Sequence, residues 1–162
     1  MGYTNKYCYI ALMEIAHEDT PGRLRALPTR LVNQVAILAN RATERAFEAT
    51  GSRRYHYALL ATLGEFGPAS QADLGRRTRI DRSDIVAALN DLAERGLIER
   101  TPDPSDRRRN IVTITKAGTR HLDELDQRIE GAQDDLLTAL SAAERRELVR
   151  LLIRILDDHV QG

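Results

Sequence analysis

Several residue types that mark particular classes of protein are scarce or absent in this sequence of 162 residues. Tryptophan is absent, phenylalanine occurs twice, and the single cysteine is Cys8. A lone cysteine excludes a disulfide within the chain, and no cysteines and histidines are spaced as zinc ligands. Because large aromatic side chains are so few, the sequence by itself indicates no aromatic-lined pocket. We therefore expect neither a disulfide scaffold nor a metal or other cofactor.

Long apolar segments are also missing. The apolar run from Tyr7 to Met13 is interrupted at Glu14, and no signal-cleavage pattern of small residues follows it. No other stretch approaches the length of a membrane span. We therefore expect a cytoplasmic protein that has no membrane partner.

The chain lacks a net charge, with 24 lysines and arginines against 24 aspartates and glutamates. A neutral chain at first argues against a nucleic-acid partner. The charges are unevenly distributed, however, because residues 119–162 hold six basic and ten acidic residues, whereas Arg107, Arg108 and Arg109 are consecutive. A locally basic segment on a neutral chain remains compatible with DNA binding.

That basic segment lies in the most informative part of the sequence. Two runs of β-forming residues, Leu97 to Thr101 and Ile111 to Thr115, flank a segment with two prolines and two aspartates. Such a segment disfavours helix and favours turns, so the pattern predicts a β-hairpin with an extended tip. The three arginines would lie at this tip. We call the predicted hairpin the wing.

Hydrophobic periodicity predicts helices on both sides of the wing. They are Pro28 to Thr50, Ser52 to Phe66, a short helix beginning at Ser70, a helix from Asp81 to Arg95, Thr119 to Leu140 with a weak point at Gly131, and Ser141 to His159. A turn of about three residues, Thr78 to Ile80, separates the two helices before the wing and fits a helix-turn-helix. The terminal helices carry more apolar surface than so small a domain needs, so we expect them to form a symmetric dimer interface.

The predicted fold is therefore mainly α with a small β-hairpin wing, namely a winged helix-turn-helix plus a helical dimerisation region. Residues 1–50 would hold an N-terminal segment and the first dimerisation helix. Residues 51–116 would form the DNA-binding domain, and residues 117–162 the C-terminal dimerisation helices.

The helix that follows the three-residue turn is the candidate DNA reader, because the N-terminal half of such a helix enters the major groove. Its predicted exposed side chains are Arg82, Ser83, Asp84, Val86, Ala87 and Asn90. An arginine at this place can grip guanine, although Arg82 could instead pair with Asp81 or Asp84. Asp84 would repel phosphate, so it would receive a base amino group or orient a neighbouring arginine.

Guanidinium groups at the tip of the wing suit the narrow minor groove and also bind phosphates. The candidate DNA contacts are therefore Ser70, Gln71, Arg82, Ser83, Asp84, Ala87, Arg107, Arg108 and Arg109. Asp103 and Asp106 cannot face phosphate, so we expect them to support the wing by pairing with an arginine.

Three motifs follow one another around the wing. They read Leu92-x-x-Arg95-Gly96-Leu97-Ile98-x-Arg100, then Asp103-Pro104-x-Asp106-Arg107-Arg108, and then Ile114-Thr115-x-x-Gly118. In these motifs and in the order of its elements, the chain from about Leu27 to Leu156 resembles the MarR family of bacterial transcriptional regulators. The resemblance implies a triangular homodimer with intertwined terminal helices that binds a pseudo-palindromic operator, and repression is the predicted sense of regulation.

The resemblance also implies roles for single residues. Asp106 would anchor the wing, and Arg108 would enter the minor groove. The reading-helix contacts would fall around residues 82–87. In one departure from the family, Ala87 stands where many members carry an arginine, so base contact would shift to Arg82 or Ser83.

Many members of this family bind a small phenolic or aromatic effector in a crevice between the dimer helices and the DNA-binding lobe. The resemblance places Arg53, Arg54, Tyr55, His56 and Tyr57 at that crevice. An arginine there could hold a carboxylate, and tyrosine and histidine combine an apolar body with a polar tip. The alternative is that these are ordinary packing and interface residues.

Competing functions are less well supported. No phosphate-binding glycine loop, nucleophile elbow or catalytic constellation is present, so we do not expect an enzyme. A winged-helix module that binds protein instead of an operator is one alternative. Another is a redox-sensing regulator based on Cys8, although only Lys6 is near in sequence to stabilise a thiolate.

Overall fold

A computed structural model of the chain describes residues 20–104 and 109–160, which form two compact units divided between residues 41 and 42. The elements in chain order are α1 (Gly22–Arg25), α2 (Pro28–Glu48), α3 (Arg54–Phe66), β1 (Ala69–Ser70), α4 (Gln71–Thr78), α5 (Arg82–Glu94), β2 (Ile98–Pro102), β3 (Asn110–Ile114), α6 (Lys116–Leu136) and α7 (Ala142–Val160). The predicted mainly helical fold with a hairpin wing is confirmed. The predictions for Cys8, Asp106, Arg107 and Arg108 lie outside the described residues.

The core of the second unit gathers one face from each of its central helices. The side chains that are nearly inaccessible to solvent are Leu59, Leu60 and Leu63 of α3, Leu74 of α4, Ile85, Leu89 and Leu92 of α5, Val112 of β3 and Leu125 of α6. Their spacing of three and four residues along each helix is the one that the sequence pattern predicts. Burying each leucine contributes about 1.5–3 kcal/mol, so this shared core holds the reading helix at a fixed angle to its neighbours.

The sheet has three antiparallel strands in the order β1-β3-β2. Strands β2 and β3 form the predicted hairpin, with Ile98 opposite Ile114 and Pro102 opposite Asn110. The two residues of β1 pair with Val112 and Ile111. This third strand was not predicted, because two residues carry no readable alternation.

Three local details differ from the sequence-based expectation. Helix α6 continues through Gly131, since one exposed glycine costs only about 1 kcal/mol against the burial of Leu125 and Ile129 on the same helix. Helix α6 also ends at Leu136, four residues before the predicted end. The helix predicted from Asp81 begins one residue later, at Arg82, and the Asp81 side chain makes no capping hydrogen bond.

The first unit exposes a set of large apolar side chains along α2 and just before it. They are Leu27, Leu31, Val32, Val35 and Leu38, each between 38% and 51% accessible. The second unit has a similar set along α7, namely Val149, Leu151, Leu152, Ile153, Ile155 and Leu156, each between 41% and 65% accessible. Contiguous apolar surface of this kind indicates an interaction surface.

Candidate nucleic-acid interface

Helices α4 and α5 form the helix-turn-helix. Ser70 begins α4 as predicted, because its Oγ accepts a hydrogen bond from the backbone N–H of Asp73 at 3.2 Å. The helix ends at Arg79, whose φ of 54° lies in the left-handed region and whose N–H bonds to the carbonyl of Gly75 at 2.9 Å. Only residues 79–81 separate the two helices.

Helix α5 has a buried face and an exposed face. Ile85, Leu89 and Leu92 are at most 2% accessible and anchor the helix in the core. The exposed side chains in its first half are those that the sequence predicted, namely Arg82, Ser83, Asp84, Val86, Ala87 and Asn90. The exposed face of this helix therefore mixes small, polar and charged side chains, including the acidic Asp84 and the apolar Val86.

The base of the wing is closed by a backbone hydrogen bond from Asp103 N to the carbonyl of Arg109, at 2.9 Å. Asp103 is partly buried there, and its predicted pairing with an arginine side chain stays a prediction. The Arg109 side chain turns back toward α4, where its Nη2 lies 3.1 Å from Ser70 Oγ and 3.9 Å from an Asp73 carboxylate oxygen.

A groove of about 600 Å³ runs between the helix-turn-helix and the wing. Arg82 from α5, Arg100 from β2 and Arg109, which immediately precedes β3, line it together with Gln71 and Asn110. Within the described part of the chain, no carboxylate lies within ion-pair distance of Arg82. The groove therefore brings cationic side chains from three separate elements to one surface, which suits a phosphate backbone.

Arg100 was missed by the sequence analysis. Its Nη2 donates to Asn90 Oδ1 at 2.9 Å, which ties β2 to the exposed face of α5. The only signal in the sequence was its place in the Leu-Ile-x-Arg motif. The contact itself could not be read from the sequence, because it depends on the angle between the helix and the hairpin.

Behind the reading helix, a polar cluster joins α5 to the loop after α2. Arg95 donates from Nη1 to the carbonyl of Gly51 at 3.0 Å and from Nη2 to the carbonyl of Thr50 at 3.3 Å. Its Nη1 also lies 3.8 Å from an Asp91 carboxylate oxygen. Arg95 therefore satisfies backbone carbonyls in the loop after α2 and fixes the C-terminal end of α5 against them.

Two histidines complete this cluster. His56 is 4% accessible, and its Nε2 lies 3.1 Å from an Asp91 carboxylate oxygen. Its Nδ1 is buried without a hydrogen-bond partner among the described residues. A neutral ring that donates from Nε2 leaves only a lone pair at Nδ1, whereas protonation would bury an unpaired N–H there.

Burial lowers the pKa of His56 below 6.5, and the positive charges of Arg95, Arg53 and His121 act in the same direction while Asp91 opposes them. The pKa of His121 is lowered by burial and by Arg95, with Glu124 opposing. Its Nε2 lies 2.7 Å from Ser52 Oγ. Both rings are therefore favoured as neutral groups in the folded chain.

These two histidines predict a loss of stability in mild acid. In the unfolded chain both titrate near pH 6.5, about the ordinary value for histidine, but in the folded chain they titrate lower. The unfolded chain thus binds more protons between these values, so the free energy of unfolding decreases as the pH falls from 6.5 through the folded pKa values. Urea unfolding at pH 7.5 and 5.5 should show the chain more stable at pH 7.5.

The control is the His56→Gln, His121→Gln double variant, whose amides can donate toward Asp91 and accept from Arg95 and which cannot titrate. Its free energy of unfolding should change less between pH 7.5 and 5.5 than that of the unsubstituted chain. An unchanged pH dependence in the double variant would show that other groups cause the effect.

The structure separates the predicted effector residues. Arg53 and Arg54 are exposed, whereas His56 faces the interior cluster. The Tyr57 hydroxyl donates to Asp126 Oδ1 at 2.8 Å, and burial together with this hydrogen bond raises the pKa of Tyr57 to about 12. The polar tips of His56 and Tyr57 are thus already engaged, and Arg53 and Arg54 are the members of this group open to solvent.

Metal-ligand clusters and membrane spans are both absent from the described residues. No group of three or more histidine, cysteine, aspartate or glutamate side chains there could hold a metal ion. No helix in the same part of the chain is both long and apolar enough to cross a membrane.

The helix-turn-helix, the hairpin and the groove between them define a winged helix-turn-helix protein. The family model described as MarR family matches residues 50–109. The HTH-type transcriptional regulator YxaD of Bacillus subtilis is 34% identical over 102 residues, which are 63% of this chain and 71% of that protein. The chain belongs to the MarR family of transcriptional regulators.

Other similar proteins agree with this assignment. The HTH-type transcriptional repressor NicR of Pseudomonas putida is 33% identical over 101 residues, 62% of this chain and 64% of that protein. A regulatory protein from Thauera aromatica is 36% identical over 99 residues, 61% of this chain and 60% of that protein. The chain thus spans less than two thirds of the length of these two relatives.

Two solved structures show the fold over a larger share of the chain. A MarR-family regulator from Rhodococcus superposes with a TM-score of 0.69 at 26% identity, covering 78% of this chain and 90% of that one. PcaV from Streptomyces coelicolor, crystallised with its natural ligand, superposes with a TM-score of 0.67 at 26% identity, covering 85% and 97%. The named relatives are regulators, not enzymes.

Proposed function

We propose that the chain is a sequence-specific DNA-binding repressor that acts as a homodimer on a pseudo-palindromic operator. The observation that carries this proposal is the exposed N-terminal half of α5, which stands beside a groove whose lining includes Arg82 and Arg100. A helix with this exposure fits the major groove, and a basic groove beside it fits the phosphates that flank the bases. Repression is proposed because the relative NicR is a repressor.

The exposed residues of α5 suit different parts of the duplex. Arg82 can donate two hydrogen bonds to a guanine edge, and Ser83 can contact a base or a phosphate. Ala87 presents a methyl group and no charge, so it can pack on a thymine methyl where other members use an arginine. Asp84 requires a donor, such as the amino group of cytosine.

Gln71 would position the duplex, because it lies at the N-terminus of α4, where backbone N–H groups and the helix dipole favour an approaching phosphate. Ser70, predicted from the sequence as a DNA contact, is only 4% accessible, and its hydroxyl is hydrogen-bonded to Asp73, so it supports this helix end from within. Arg107 and Arg108, at the tip of the wing, would extend this contact into the minor groove.

The two exposed apolar sets, one on α2 and one on α7, support the dimer. Each lies along a helix of its own unit and faces solvent in the single chain. A second copy of the chain is the simplest partner that would cover both, since a twofold axis brings each set to its equivalent. A dimer also accounts for specificity, because two reading helices about 34 Å apart can occupy successive turns of one duplex.

A small anionic ligand is proposed as the effector. Arg53 and Arg54 are exposed at the start of α3 and can bind a carboxylate through a pair of hydrogen bonds. The structure of PcaV with its natural ligand supports ligand control for a related chain. We propose that such a ligand releases the operator.

The experiment selects fragments of the source genome on the purified protein and then measures their affinity at several salt concentrations. We expect an enriched, pseudo-palindromic fragment bound at least about 10³-fold more tightly than a scrambled duplex. Affinity should decrease steeply with added salt, because bound cationic side chains release counterions from the phosphates.

Arg82→Ala should weaken binding to the selected fragment by about 1–3 kcal/mol. Equal affinity of the unsubstituted protein for selected and scrambled duplexes would contradict operator binding and favour the protein-interaction alternative.

A further inference from the structure

Arg109 behaves differently from the side chain expected at a DNA-contacting tip. The sequence groups it with Arg107 and Arg108, and all three were predicted to contact DNA. In the structure its side chain is 51% accessible, and its guanidinium is directed at the start of α4, with Nη2 at 3.1 Å from Ser70 Oγ and 3.9 Å from Asp73 Oδ2. The wing and the helix-turn-helix are thus joined by a side chain as well as by the strand β1.

Ser70 and Asp73, the two residues that Arg109 contacts, are held in place by their own hydrogen bonds. Ser70 is 4% accessible, and its hydroxyl donates to Asp73 Oδ2 at 2.7 Å while accepting from the backbone N–H of Asp73 at 3.2 Å. Arg76 holds the other carboxylate oxygen of Asp73 at 2.6 Å. The hydroxyl of Ser70 therefore has its donor and both acceptor positions occupied once Arg109 bonds to it.

The backbone of Arg109 is engaged as well. Its carbonyl accepts the hydrogen bond from Asp103 N that closes the base of the wing. One residue thus holds the two strands of the hairpin together through its main chain and the hairpin to α4 through its side chain. In the sequence, Arg107 and Arg108 immediately precede this residue.

We propose that Arg109 is a positioning residue that sets the angle of the wing against α4 and does not itself contact DNA. This inference rests on the proposed operator binding and revises the role predicted for Arg109 from the sequence. The strand pairing alone is a weak hinge, because β1 contributes only two residues. The Arg109 contact with Ser70 and Asp73 adds a further point of attachment beside the Arg100–Asn90 hydrogen bond, so the base of the wing is held at one orientation to α4.

The first test uses the salt dependence of DNA affinity. Each phosphate contact contributes about 0.9 to the slope of log affinity against log salt. Arg109→Ala should lower the affinity for the selected operator by roughly three- to tenfold and leave this slope unchanged. The matched control is Arg82→Ala, which removes a groove arginine proposed to contact DNA and should reduce the slope by about one or shift base preference. A slope lowered by about one in Arg109→Ala would overturn the proposal.

The second test is a double-mutant cycle between Arg109→Ala and Ser70→Ala. If Arg109 acts through Ser70, the Arg109 substitution should cost clearly less affinity in the Ser70→Ala background than in the unsubstituted chain. The same fold-loss in both backgrounds would mean that Arg109 acts independently of Ser70, against the proposal.

The third test needs no DNA and so separates this inference from operator binding. Amide hydrogen exchange of Asp103 and Ile111, measured by NMR, should be faster in Arg109→Ala than in the unsubstituted chain, because the base of the wing loses its attachment. Unchanged exchange at both amides would overturn the positioning role. If the unsubstituted chain selected no operator, the proposed function would fail while this measurement still decided the role of Arg109.

Discussion

Replacing Gly118 by alanine is expected to destabilise the protein more than the same replacement at any other helical glycine among the described residues. A Cβ at this position would lie 2.0 Å from the carbonyl oxygen of Leu97 and 2.8 Å from the Ile114 side chain. The oxygen belongs to the backbone and already accepts a hydrogen bond from Thr115 N at 3.1 Å, so it cannot move without breaking that bond. Overpacking costs about 1–3 kcal/mol, and a clash with backbone belongs at or beyond the upper end.

A cost of about 3 kcal/mol is a large part of the 5–15 kcal/mol that separates folded from unfolded domains. For a chain of this length it should lower the melting temperature by about 6–12 °C, measured by circular dichroism at 222 nm. Gly118 lies in the first turn of α6, where that helix follows the end of the wing, so DNA affinity should decrease with stability.

The matched control is Gly131→Ala in the same helix. Nothing lies within 4 Å of a Cβ built at Gly131, and alanine is about 1 kcal/mol more favourable than glycine within a helix. The two identical substitutions should therefore shift the melting temperature in opposite directions. A Gly118→Ala protein as stable as the unsubstituted one would show that the close approach of α6 to Leu97 does not hold in solution.

Elements that depend on local pattern could be predicted from the sequence. The helices follow from leucines and isoleucines at intervals of three and four, and the hairpin follows from two β-forming runs around a segment rich in proline and aspartate. The capping role of Ser70 also follows from neighbouring residues, because its partner Asp73 is three positions away. In each of these cases the interacting groups are close in sequence.

Features that depend on tertiary geometry could not be predicted. His56 was placed at an effector crevice, yet it pairs with Asp91, thirty-five positions away on α5. Arg95 was recognised as part of a motif, but its bonds to the carbonyls of Thr50 and Gly51 require the packed arrangement. The contact of Arg109 with Ser70 belongs to the same class, since a run of three arginines gives no sign that one of them turns away from the tip.

The largest effect on function is expected from two glutamates placed on the exposed apolar face of α7. Leu152 and Leu156 are 41% and 65% accessible in the single chain and lie four residues apart on one side of the helix. Leu152→Glu, Leu156→Glu should leave the fold of the unit intact, because neither side chain contributes to its buried core. In the proposed dimer, however, each substitution buries a carboxylate without a partner, which costs several kcal/mol per ion.

We therefore expect this double variant to sediment as a monomer at micromolar concentration, where the unsubstituted chain sediments as a dimer. Specific affinity for the operator should decrease by about 10³-fold or more, toward the level of non-specific binding, because the free energies of the two half-sites are no longer combined. The control is Arg150→Gln, Arg154→Gln on the polar side of α7, which changes the net charge by the same amount.

The comparison between these two variants separates the effect of the apolar face of α7 from the effect of the changed net charge. If both double variants lost affinity equally, repulsion between the added negative charge and the phosphates would be sufficient to explain the loss. If the glutamate variant remained a dimer with full affinity, the apolar face of α7 would not be the interface, and the apolar set on α2 would have to hold the subunits alone. The expected outcome is a monomeric glutamate variant that binds weakly and a dimeric control that binds tightly. This outcome would show that specificity requires two α5 helices on one duplex.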